Sequence, residues 1–128
     1  MVRVLADPMP RVRAWLTDNL VEAEVRADVP PNWTLAAATR PLVVVADDGG
    51  PVDWPVRSEH TIRLVARAKS RTEARTTVRL AAGRLHTAKL NGIVVRRAGG
   101  SVIESTDKAT GAYLASVLVP IQARTVEL

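Results

Sequence analysis

The chain has no cysteine, no phenylalanine, a single tyrosine and only three lysines. Without cysteine it has no disulfide framework, thiol nucleophile or thiolate metal site. Without phenylalanine, the core is expected from Val, Leu, Ala, Ile and the three tryptophans. His60 and His86 are the only histidines, and with no cysteine to join them a zinc site has too few ligands. No G-x-S-x-G elbow, Walker A sequence or G-x-G-x-x-G run occurs, so neither an activated serine of that kind nor a nucleotide cradle is supported. No apolar run approaches the roughly 20 residues of a membrane span. The opening MVRVLADPMP lacks the apolar stretch of a secretion signal. No enzyme activity, cofactor, metal or membrane partner is expected.

What is present fits one domain over residues 1–128. Apolar residues make up 47% and charged residues 24%, the balance of a soluble globular fold. The net charge of +5 comes almost wholly from arginine, fifteen against three lysines. A GC-rich genome writes such an Ala, Val and Arg-rich chain. The charge is therefore a weak pointer to an anionic partner.

Asp7-Pro8 predicts a helix start, with Asp7 as N-cap and Pro8 at the first helical position. Val12, Trp15, Leu16 and Leu20 then form one apolar stripe. From Val21 to Val29 the period changes to two, predicting a half-buried strand that Pro30-Pro31 ends. PLVVVADDGG reads as a buried strand entering a turn, and PVDWP as a loop. From Glu59 to Ala68 the chain alternates again, with His60, Ile62, Leu64 and Ala66 on one face. Ser70 and Glu73 give a capping box for a second helix, closed by Asn91-Gly92 ahead of the strand IVVRR. SVIES is extended, DKATG turns, and a long strand closes the chain. The expected fold is α+β, two helices packed on a mainly antiparallel or mixed sheet.

The acidic cluster Asp47, Asp48 and Asp53 reads as a hairpin turn with solvated carboxylates, although clustered carboxylates also attract hard cations. His60 reads as a satisfied core or edge histidine. The second helix, SRTEARTTVRLAAGRLHTA, carries four arginines. At 100° per residue, Ala74, Val78, Ala81, Leu85 and Ala88 share one face. Arg75, Arg79 and His86 lie on one flank and Arg84 on the other, so the arginines make no single positive face. The helix interleaves no aromatics for stacking on single strands and carries no docking motif for a duplex. Leu80 projects away from the apolar face and is a candidate for a subunit interface. The closing strand is apolar on both sides, with Tyr113, Ala115, Val117, Val119 and Ile121 on one and Leu114 and Leu118 on the other. That predicts a helix layer or a subunit boundary there. Tyr113, Leu114 and Leu118 join Leu80 as interface candidates.

Four segments in order, VRAWLTDNL, RPLVVVADDGG followed by VDWPV, RAKSRTEARTTVRLAAGRL and ESTDKATGAYLASVLVPIQART, cover nearly the whole chain. Together they resemble the tail terminator (tail completion) proteins of long-tailed bacteriophages, particularly those infecting actinobacteria. The resemblance implies a small α+β subunit of a homo-oligomeric ring, usually a hexamer. Such a ring caps the head-proximal end of the tail in the virion after assembly in the host cytoplasm. It implies the major tail tube protein and the head-tail connector or stopper as partners, with DNA passing through the lumen without specific binding. Asp107, Lys108 and Thr110 are then candidates for a polar loop facing a partner or the lumen. The alternatives are another phage neck or head-completion protein, or a small basic nucleic-acid-binding module with Arg75, Arg79 and Arg84 on phosphates.

Overall fold

The computed structural model describes all 128 residues. In order, its elements are β1 (Arg3–Val4), α1 (Met9–Asn19), β2 (Glu24–Arg26), β3 (Leu42–Asp47), β4 (Val52–Asp53), β5 (Arg57–Ala68), α2 (Arg71–Thr87), β6 (Ile93–Val95), β7 (Ile103–Thr106), β8 (Tyr113–Arg124) and β9 (Val126–Glu127). Seven strands form one sheet along the path β2-β3-β5-β8-β6, with β4 added to β5 and β7 to β8. Only β2 and β3 pair in parallel. The ribbon of β1 and β9 stands apart. The fold is α+β, as the alternation of periods implied.

The spine is the β5–β8 pair, in register from Arg57↔Arg124 to Ala68↔Tyr113. Alternate residues Ile62, Leu64 and Ala66 of β5 and Ala115, Val119 and Ile121 of β8 lie buried beneath the helices. α2 meets them with Ala74, Val78, Ala81 and Leu85, while α1 packs over β2 and β3 and buries Val12 and Leu16. Truncating a fully buried leucine such as Leu85 typically costs about 2–5 kcal/mol. Small residues line both layers: Ala66, Ala68, Ala115 and Ala123 below, Ala74, Ala81 and Ala82 above. So close a packing leaves no room for an indole. Of the tryptophans expected in the core, Trp15 is half-buried and packs against the core's edge, Trp33 is half-buried outside it, and Trp54 is 56% exposed.

The helix starts follow local chemistry. The Asp7 side chain accepts the Met9 N–H at 3.1 Å, although Pro8 occupies the cap position itself. The Ser70 hydroxyl accepts the Glu73 N–H at 3.1 Å. Three boundaries differ from expectation. The strand predicted over Val21–Val29 contracts to Glu24–Arg26. Leu20 is pinned in the core and the Ala23 N–H bonds back to the Leu20 carbonyl, so the chain is still turning at Val21, which is 68% exposed. The second helix stops at Thr87 rather than at Asn91-Gly92, because Ala88 is already extended and residues 88–92 lead down to β6. Within the expected PVDWP loop, Val52 and Asp53 pair with Ser58 and Arg57.

The opposite face of the sheet has no helix on it. Val44, Val65, Ser116 and Ile103 stand in one row across four strands, with Leu114 and Leu118 beside them. An open antiparallel face is normally polar, so this one is unusually apolar.

Candidate functional site

The arginines of α2 are engaged within the fold. Arg84 makes two 2.6 Å hydrogen bonds to the Glu22 carboxylate and donates to the Asn19 carbonyl at 2.8 Å. This bidentate pair holds Glu22 below the usual carboxylate range and raises Arg84 further. Arg75 bonds Glu104 of β7 at 3.0 Å, and Arg71 stands 4.0 Å from the same carboxylate while lying over the Tyr113 ring. Arg79 alone on this helix is an exposed arginine with no side-chain partner. The three candidate phosphate contacts therefore do not form one surface: Arg75 pairs with β7, and Arg84 faces the end of α1. Across the chain, eight of the fifteen arginines stand within 4.0 Å of a carboxylate.

Leu80 corrects the expectation of an outward residue. It is half-buried and packs against the core cluster. It lies one turn before Arg84 on the same flank, and the Arg84 bonds to Asn19 and Glu22 bring the end of α1 over that flank. The projection considered the sheet alone and missed the second helix. On β8, the side carrying Ala115, Val119 and Ile121 lies under α2, which meets the helix-layer branch of that expectation. On the other side Leu114 is half-buried and Leu118 is 38% exposed.

The polar loop divides. Asp107 turns inward, accepting from Arg67 Nη1 at 2.8 Å and from the Ala109 N–H at 3.0 Å. Hydrogen bonding from Arg67 comes first among the causes that hold its carboxyl below the usual range, followed by the Ala109 N–H. Arg67 also lies 6.0 Å from the Trp33 ring centroid, and its Nε has no partner. Lys108 and Thr110 face solvent. Thr110, Lys69 and Trp33 border a cleft of about 580 Å³ beside this loop.

One constellation escaped sequence reasoning. Ser58 Oγ lies 2.7 Å from His60 Nε2, and His60 Nδ1 lies 2.7 Å from Asp47 Oδ2. A carboxylate only accepts, so in the neutral ring Nδ1 donates to Asp47 and Nε2 accepts from Ser58. That is the nucleophile–base–orienter order of an acyl-transfer triad. Catalysis also needs space beside the nucleophile, and none is seen. Ser58 is 2% exposed on the helix side of β5, in register between Val52 and Ala123. None of the principal clefts includes Ser58, His60 or Asp47. The network instead ties the β3–β5 connection to the sheet, and it makes His60 a satisfied histidine, as expected, on a central strand. The signal for the Ser58–His60 half was available, since residues two apart on a strand share a face. Starting the strand at Glu59 left Ser58 out.

The three aspartates of the acidic turn are exposed, as expected, and two of them are engaged. Asp47 bonds His60 and the Gly49 N–H, and Asp48 pairs with Arg63 at 3.3 Å. No group of three metal-ligating side chains is assembled there. No helix is long and apolar enough to cross a membrane. In comparisons with known proteins, no family model matches the chain and no curated protein matches it.

Proposed function

We propose that this protein is a tail terminator: a ring-forming structural subunit that caps the head-proximal end of a phage tail tube. In this role it stops tube polymerisation and joins the tail to the head-tail connector. The observation that carries the reading is the distribution of apolar surface. Large hydrophobic side chains remain exposed at both edges of one sheet, Val52, Trp54 and Val56 on one side and Val94, Ile103 and Leu118 on the other. A ring subunit needs two different sticky faces. The ordered resemblance of four segments along nearly the whole chain gives the ring its identity, and an α+β fold is the class that resemblance implies.

The nucleic-acid module draws less support. Arg84 is committed to Glu22 and Arg75 to Glu104, which leaves Arg79 as the free cation of the three. DNA passing the ring would meet few unpaired arginines on α2, as suits a lumen that lets it slide.

The test is tube capping. Tail tubes polymerised from the major tail tube protein are imaged by electron microscopy with and without this protein. Added protein should arrest growth and leave a ring at one end. Tubes that continue to lengthen, with bare ends at saturating protein, would overturn the reading.

A further inference from the structure

The two exposed apolar patches differ in shape and charge. The first is a hairpin arm, residues 51–56: Val52 and Asp53 pair with β5 on the edge away from β8, and the Pro55 and Val56 carbonyls accept from Thr125 just past β8. It exposes Val52, Trp54 and Val56, with Asp53 between them. Asp53 stands opposite Arg57 in the pairing register yet makes no ion pair with it. The second is a cleft of about 570 Å³ on the far side of β8, between the end of α2 and the turn at residues 97–100. Ala98, Val117 and Leu118 are its apolar lining, with Leu118 on the face of β8 away from α2, and His86 and Arg97 border it. Arg97 is exposed and has no carboxylate partner. Gly99 shapes this cleft: its φ is +148°, and a Cβ there would stand 2.4 Å from the Leu118 carbonyl oxygen. Val94 and Ile103 flank it on β6 and β7.

We propose that the Val52–Val56 arm of one copy docks in the α2–Gly99 cleft of the next. Trp54 lies against the apolar lining at Ala98 and Val117, and Asp53 pairs with Arg97. The inference rests on the ring reading above and names the contact that would build the ring. Three features select a second copy of this chain as the occupant. The arm offers a free carboxylate beside an exposed indole, and the cleft offers a free guanidinium beside an apolar lining, so charge and apolarity match together. Arg–carboxylate pairs are strong and geometrically specific, and buried tryptophans dominate interface energies. The β4 strand of the arm and the cleft also sit on opposite sides of the β5–β8 pair. A contact between two different patches is heterologous, and a repeated heterologous contact closes into a ring when its rotation allows.

The chain has no cysteine, which makes the test clean. Asp53→Cys and Arg97→Cys are prepared singly and together in the full chain. Each is oxidised with diamide, free and in the presence of tail tubes. The double variant should give a ladder of covalent multimers, and a mixture of the singles should give dimers alone. Adding Trp54→Ala to the double variant should cut the ladder at least tenfold while circular dichroism stays unchanged, because Trp54 supports no core packing. Three results would overturn the contact: no ladder under either condition, Asp53→Cys cross-linking to itself as readily as to Arg97→Cys, or a ladder undiminished by Trp54→Ala. Tubes capped by a protein whose ladder fails would sink this contact and leave the terminator reading standing. A full ladder with tubes left uncapped would do the reverse.

Discussion

Asp107 shows how one carboxylate organises the end of the sheet. It closes its own turn through the Ala109 N–H and fixes Arg67, whose guanidinium lies near the Trp33 ring. A carboxyl whose folded-state pKa is depressed stabilises the fold above its unfolded pKa. That contribution is lost as pH falls through the lower, folded value. Asp107 and Glu22 are both of this kind. Stability measured by denaturant titration should therefore hold from neutral pH down to about pH 4 and fall below it. Asp107→Asn keeps the shape and removes the charge, so it should lower the neutral-pH midpoint and flatten the acid limb. An acid limb as steep as in the parent protein would show that the Arg67–Asp107 pair contributes nothing to pH dependence.

At the scale of elements, periodicity marked out both helices, the buried strand β3 and the long strands β5 and β8. Each of these buries one face along a repeat of its own, and that repeat is written in the residues. The errors fell where a second element decides the outcome. Leu80 is outward relative to the sheet but lies on the flank nearest α1, which no single-helix projection includes. Alternation from Val21 to Val29 was real, yet the turn after α1 consumed its first residues. The ribbon of β1 and β9 joins residues 3 and 127 and has no local signal at all. Of the candidate residues, Leu118 proved exposed as an interface demands, and Asp107 proved internal. The Ser58–His60–Asp47 network depended on the register of β3 against β5, which sequence spacing does not specify. The basic helix yields its own prediction. The Arg75–Glu104 pair is exposed, and exposed ion pairs are worth about 0–1 kcal/mol. Replacing Arg75 and Arg79 together with Gln should therefore leave the fold intact. Any DNA affinity of the parent should be weak and vanish at moderate salt by counterion release. Filter binding that stays tight at physiological salt, and collapses in the double variant, would restore the nucleic-acid module.

The whole molecule is a two-layer body with helices on one face of the sheet only. Its other face carries apolar rows, and its two edges carry unlike patches. In the proposed ring, a neighbour would cover exposed apolar residues at both edges at once. The polar network on β5 holds the base of the arm, and the glycine turn against β8 keeps the cleft open. The most direct measurement is the mass of the native assembly, by native mass spectrometry of the free protein and of protein released intact from capped tubes. A single closed species is expected, six copies in the usual form of such rings, with no ladder of open intermediates at saturation. A protein that stays monomeric in solution and on tubes at every concentration would contradict the ring, and with it the terminator role.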